Sequence, residues 1–200
     1  IRISMLFTNS FINSYGIIVS AVTGVGGKIN NIGNMLSNSL NAAGSSMVGQ
    51  NIGAEKYERV PKIIRSVWLI NSAITVFLIA AIIFFPYQVF SFFTSDVDMI
   101  YKVGLEYIPA IIIMLVACVL RSGANSLMNG SGNYKINFVV TILDAIILRI
   151  GLGLLLGLAL GMGYKGFWYG NAITAMTPFF IGIGFYLSGK WRTNKYLIKD

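Results

Sequence analysis

An all-α bundle of six membrane-spanning helices is the architecture this sequence predicts, and three observations predict it. The first is composition. Apolar residues make up 56% and charged residues 11% of the chain, whereas a soluble domain carries about a quarter charged residues; mean hydropathy is +0.73. Second, the apolar residues fall in long runs, most of which reach the roughly twenty residues needed to cross the hydrocarbon. Third, basic residues gather in alternate short loops, the asymmetry that marks cytoplasmic loops.

The segments follow in order. The first, residues 3–15, is short and reads as truncated at its start, and Gly16 marks a turn or tight junction. The second spans residues 17–52, the third 63–93, the fourth 99–127, the fifth 136–160 and the sixth 166–187. Five are long enough to span a bilayer and the first is partial. Between the second and third, residues 42–62 read AAGSSMVGQNIGAEKYERVPK. A small, polar helix end runs there into Glu55, Lys56, Glu58, Arg59, Lys62 and Arg65. That pattern predicts a cytoplasmic turn, with Gly53 suited to a helix C-terminus. The loop with Asp96 and Asp98 then lies outside, Arg121 and Lys135 flank an inner loop, and the 161–166 turn is outside. Lys190, Arg192, Lys195 and Lys199 put the C-terminus inside. Phe84, Phe85, Tyr87, Phe90, Phe92 and Phe93 predict one aromatic belt, and Phe167, Trp168 and Tyr169 a second on the same side. Gly153, Gly157 and Gly161 recur every four residues and predict a close helix contact. Pro86, Pro109 and Pro178 are candidate kinks or helix ends. GSSMVGQNIG at 44–53 weakly echoes GANSLMNGSG at 123–132, each closing a helix on the cytoplasmic side.

These features exclude several classes. The net charge of +8 does not point to nucleic acid, because the basic residues lie in loops rather than on one face; they fit topology and anionic lipid headgroups. There is no histidine and one cysteine, Cys118, so a disulfide within the chain and a Cys/His metal site are both ruled out. Residues 3–25 imitate a signal peptide, but Asn9 and Asn13 interrupt the run and no soluble domain follows. No pair of carboxylates shares a deep helix face, so an enzyme is not expected and no catalytic residue or cofactor is assigned.

Polarity inside the apolar runs is the functional signal. In the second segment Asn30, Asn34 and Asn38 recur every four residues, and Asn41 and Ser45 extend that side. An unpaired amide costs several kcal/mol, roughly, in hydrocarbon, so the stripe faces protein or a water-filled cavity. It either lines a substrate cleft or bonds helices together. Asp144 and Arg149 lie deep in the fifth segment. Intramembrane charges are functional candidates by default. Asp144 is the candidate for cation binding or proton exchange, or else a structural partner for a neighbouring charge; Arg149 reads as structural. Five residues apart on a regular α-helix they diverge by about 140°, so no pair between them is expected. Lys28, Glu106 and Arg121 are expected to snorkel to the interfaces.

The turn at 49–54, Gly-Gln-Asn-Ile-Gly-Ala, resembles the link between the second and third helices of the C-terminal lobe in multidrug and toxic compound extrusion (MATE) transporters. Three further motifs occur in family order. Asn129-Gly130-Ser131-Gly132-Asn133 is similar to Arg-Gly-x-Gly-Asp, Arg149-Ile150-Gly151-Leu152 to Arg-x-Pro-Leu, and Gly163-Tyr164-Lys165-Gly166-Phe167-Trp168 to Gly-x-x-Gly-x-Trp. Asn129, Asn133 and Gly151 depart from that pattern, and the carboxylate that some members carry near the position of Cys118 is missing. The resemblance implies that residues 1–200 form one six-helix lobe of a twelve-helix transporter, with the first helix truncated and the N-terminal lobe missing. It implies a plasma-membrane antiporter in which Na⁺ or H⁺ drives export of amphipathic, often cationic, organic compounds by alternating access. Asn34, Asn38 and Asn41 are the best lining candidates. A polysaccharide or lipid-precursor flippase of the same superfamily, and a non-transporting membrane scaffold, are the alternatives.

Overall fold

A computed structural model describes residues 2–94 and 97–192 of the chain; Asp96, Lys195 and Lys199 lie outside the described residues. The elements are helices α1 (Arg2–Ser14), α2 (Ile17–Gly53), α3 (Val60–Phe84), α4 (Pro86–Ser91), α5 (Val97–Gly130), α6 (Tyr134–Ile142), α7 (Arg149–Leu154), α8 (Tyr164–Thr174) and α9 (Thr177–Leu187). Helices α6 and α7 are joined by a π turn at Leu143–Leu148, and a second π turn, Leu155–Ala159, follows α7. Short 3₁₀ turns at Tyr57–Arg59 and Lys190–Arg192 complete the chain. Among the described residues no strand occurs.

The six predicted segments are all helical, and proline sets where two of them divide. Pro86 has no amide hydrogen and crowds the preceding turn, so α3 stops at Phe84 and α4 starts afresh at Pro86. Pro178 divides the sixth segment in the same way, into α8 and α9. Pro109 is instead accommodated inside α5. Four helical stretches are long and apolar enough to cross a membrane: Tyr57–Phe84, Tyr101–Gly130, Lys135–Ala159 and Tyr164–Leu187. Helix α2, at 37 residues, has ample length, about 55 Å, but its amides and glycines dilute its apolar character. Helix α1 is 13 residues long.

Helices α2 and α5 form the central pair, with α3 and α9 against one end of α5 and α8 against the other. One apolar core joins Val22, Val25 and Ile29 of α2 to Tyr107, Ile111 and Leu115 of α5 and Phe167 and Trp168 of α8. A second gathers Val48, Ile52, Val60, Ile64, Leu127, Met128, Phe185 and Trp191 near the basic turn. The outer surface is apolar: Ile17, Phe77, Phe92 and Leu187 are each more than 70% exposed, as lipid-facing positions are.

Small residues set how close the helices come. The two echoing segments, 44–53 and 123–132, pack on one another. A Cβ on Gly44 would meet Ser126 Oγ at 2.5 Å, and one on Gly130 would meet the Ser45 carbonyl at 2.6 Å. The echo is therefore a single crossing of α2 and α5 seen from both partners. Gly153 and Gly157 lie against Phe167, and the backbone of Gly170 approaches that of Gly153. Gly166 meets the backbone of Leu156 and Gly157 in the same way. Gly161, expected as the third rung of this ladder, instead has φ 68° in the turn that follows the helix.

The aromatic belts are corrected in part. Phe167 and Trp168 are buried rather than part of an interfacial belt: Gly153 and Gly157 leave room for the Phe167 ring, and Trp168 stacks on Tyr107 at 4.2 Å. Phe90 is likewise buried, under Gly104, while Phe84, Phe85, Tyr87 and Phe92 are exposed as expected. Helix α2 ends at Gly53, as expected, and the left-handed residue beyond it is Glu55 (φ 59°). The Lys56 amide donates to the Asn51 carbonyl at 2.8 Å and the Glu55 amide to Ile52 at 3.0 Å, the bonds of a Schellman-type ending.

The glycine contacts make a direct prediction. A Gly170→Ala change places a methyl 2.9–3.1 Å from the backbone of Gly153 and Leu152, so it is expected to destabilise the chain in detergent by about 1–3 kcal/mol. Gly151→Ala, whose Cβ meets nothing within 4 Å, should leave the unfolding midpoint unchanged or slightly raised.

Candidate functional site

The amide stripe of α2 divides along its length. Asn30 and Asn34 are half-buried and line a cleft of about 520 Å³ bounded by α1, α2, α5 and α8. Asn38 is exposed and does not line it. Asn41 and Ser45 lie further along, where the Ser45 hydroxyl donates to the Asn41 carbonyl at 2.7 Å and contacts its Oδ1 at 3.1 Å. Ser126 of α5 reaches the same carbonyl at 3.5 Å. One half of the stripe thus borders open space and the other half joins helices.

The cleft wall is completed by side chains that the stripe alone does not reveal. Asn9 and Asn13 come from α1, Thr23, Lys28 and Asn31 from α2, Tyr107 and Met114 from α5, and Phe167, Trp168 and Asn171 from α8. The indole of Trp168 donates to Thr23 Oγ1 at 2.8 Å. Ser20 donates to Asn13 Oδ1 at 2.7 Å across the α1–α2 junction. The signal for Asn9, Asn13 and Asn171 was available: each is an amide within an apolar run, the same argument that identified Asn30 and Asn34.

Beneath the cleft floor lies a polar knot. Arg121 turns inward and donates to Asn34 Oδ1, with Nη2 3.5 Å from Cys118 Sγ. It does not snorkel, because Asn34 and Cys118 offer its guanidinium acceptors within the bundle. The Cys118 thiol contacts Asn34 Oδ1 at 3.2 Å and Asn30 Oδ1 at 3.8 Å. One turn away, Asn71 of α3 donates to Ser37 Oγ at 2.9 Å and to the Cys118 carbonyl at 3.4 Å, while its own buried Oδ1 has no partner among the described residues.

Asp144 and Arg149 are both buried and, contrary to expectation, paired. Arg149 Nη2 lies 3.3 Å from both carboxylate oxygens of Asp144. The expectation assumed a regular α-helix, but a π turn occupies Leu143–Leu148. Its i→i+5 hydrogen bond brings residue i+5 back over residue i, and the Arg149 amide donates to the Asp144 carbonyl in that way. Arg149 Nε remains buried with no partner among the described residues. At the outer edge, Glu106 accepts from Tyr164 at 2.8 Å and pairs with Lys165 at 3.2 Å, and Lys28 Nζ lies 5.9 Å from the Phe93 ring. Among the described residues no group of three His, Cys, Asp or Glu converges to hold a metal.

The signature of the MatE family matches residues 2–155. The chain is 25% identical over 163 residues to the probable multidrug resistance protein NorM of Thermotoga maritima, covering 80% of this chain and 34% of that protein. It is 32% identical over 102 residues to the probable multidrug resistance protein YoeA of Bacillus subtilis, covering 50% and 22%. Against multidrug and toxin extrusion protein 1 of Oryctolagus cuniculus the identity is 24% over 157 residues, covering 78% and 28%. The chain thus spans about a third or less of the length of these relatives. In fold it is similar to an inward-facing multidrug resistance MATE family transporter of the MOP superfamily, with a TM-score of 0.77 at 22% identity, over 98% of this chain and 44% of the other. It is also similar to a eukaryotic MATE transporter, at 0.71 and 18%, over 88% and 38%.

Burial of the Asp144–Arg149 pair gives a further test. Arg149→Leu leaves a buried carboxylate without compensation and is expected to destabilise the chain by about 3–5 kcal/mol. Asp144→Leu combined with Arg149→Leu should recover most of that loss in a double-mutant cycle of detergent unfolding.

Proposed function

The chain belongs to the MatE family, and from that premise we propose that it supplies one lobe of a cation-coupled antiporter exporting amphipathic organic compounds from the cell. The observation that carries this reading is the polar cleft inside an otherwise apolar bundle. A membrane protein that only scaffolds has no need of a water-accessible wall of amides, since each must be kept from lipid. The chain's share of its relatives' length fits one lobe working beside a second across a central passage, with the cleft of α1, α2, α5 and α8 as this lobe's wall. Transport by alternating access requires the driving cation to favour one state over the other. Asp144, the one buried carboxylate among the described residues, is the candidate for that role, because a proton or Na⁺ on its oxygens would compete with Arg149. The flippase reading is disfavoured, because a pyrophosphate carrier calls for a strongly basic cavity and Lys28 is the one charged side chain that lines this cleft among the described residues.

Two measurements test the proposal in the whole transporter. Asp144→Asn should abolish the dependence of dye efflux on an imposed Na⁺ or H⁺ gradient; efflux with unchanged ion dependence removes Asp144 from the coupling role. Cysteines placed at Lys56 and Lys190, in a Cys118→Ala background, should both be labelled from the cytoplasmic side of the plasma membrane. Labelling from opposite sides rules out the orientation.

A further inference from the structure

In the cleft the geometry points to recognition of an anionic group, carboxylate or sulfonate in character, on an amphipathic organic solute. The inference rests on the reading of this cleft as a substrate site and goes against the cationic substrates that the family resemblance implies. Three observations on one wall agree. Lys28 is the single charged side chain lining the cleft among the described residues, and no carboxylate lines it. Lys28 has no ion-pair partner among those residues; it rests 5.9 Å from the Phe93 ring. Behind the floor stands a second cation, Arg121, whose side-chain contacts are Asn34 and Cys118 and no carboxylate.

The orientation of the amides follows from that second cation. A guanidinium has donors and no acceptor, so the atom of Asn34 facing Arg121 is its oxygen. The Asn34 oxygen is thereby occupied by Arg121 and by the Cys118 thiol. The Asn13 oxygen accepts from Ser20. Asn34 and Asn13 therefore engage their oxygens with protein, and each retains an amide N–H₂ with no protein partner among the described residues, while Asn30 stands beside the same sulfur at 3.8 Å. A wall of spare donors, one exposed ammonium and a guanidinium behind stabilises negative charge by charge-assisted hydrogen bonding. It offers a cation little. Tyr107, Phe167 and Trp168 supply the apolar surface beside it.

A matched pair of fluorescent probes tests this on the detergent-solubilised whole transporter: dansylglycine, which carries a carboxylate, and dansylcadaverine, which carries an ammonium on the same fluorophore. Dansylglycine is expected to bind about tenfold more tightly, which is about 1.4 kcal/mol. Lys28→Arg should keep that preference and Lys28→Glu should reverse it, with far-ultraviolet circular dichroism confirming that both variants remain helical. Equal binding of the two dyes, or a preference for dansylcadaverine, overturns the charge class while leaving the cleft as a substrate site. A preference for dansylglycine that survives Lys28→Glu overturns the role of this wall. Binding of neither dye removes the substrate-site reading, and the inference with it.

Discussion

Arg121 and Asn34 meet at the point on which the rest of the bundle depends. A charged side chain within an apolar helix must find partners inside the protein, since lipid offers none. Arg121 finds them on α2, through Asn34, and on its own helix, through Cys118. Asn71 adds α3 by bonding to Ser37 and to the Cys118 carbonyl. Helices α2, α3 and α5 are thus fixed in register by polar contacts. Apolar packing alone would not do this, because lipid tails are as apolar as leucine and give helices no hydrophobic reason to associate.

Close approach provides the remaining specificity. Where α2 crosses α5, Gly44, Ser126 and Gly130 keep the surfaces small. Where α8 meets the fifth segment, Gly153 and Gly157 make a hollow for Phe167, and Gly170 brings two backbones together. Dispersion between closely packed atoms is individually weak and collectively large, and it grows wherever a missing Cβ shortens the distance. The buried ring of Phe167 is a product of those hollows, and the adjacent Trp168 carries its indole N–H to Thr23 at the cleft edge. Packing and cleft are built from the same residues.

Much of this was legible in the sequence. Run length and loop charge gave the helices and their order, and the spacing of Asn30 and Asn34 located one cleft wall. Three things were not. Periodicity assumes 3.6 residues per turn, so the pairing of Asp144 with Arg149 was hidden by a π turn that no residue in LDAIIL announces. Aromatic residues near a segment end suggest an interface, but the glycines that bury Phe167 and the Tyr107 ring that covers Trp168 lie on other helices, and only tertiary contact reveals the match. Arg121 is close enough to a helix end to suggest snorkelling, and its inward turn depends on Asn34, 87 positions earlier in the chain. Local pattern shows what a residue must avoid; it does not show which distant partner relieves it.

The wide turn at Leu143–Leu148 has one consequence beyond the ion pair it creates. A π turn holds one more residue than the α turn it replaces. Were the helix to regularise there, everything beyond it would rotate by about 100°. Gly153 and Gly157 would swing away from Phe167, and the carboxylate would lose its guanidinium. The salt bridge and the glycine contacts at 153 and 157 therefore share one dependence, the extra residue held in this turn.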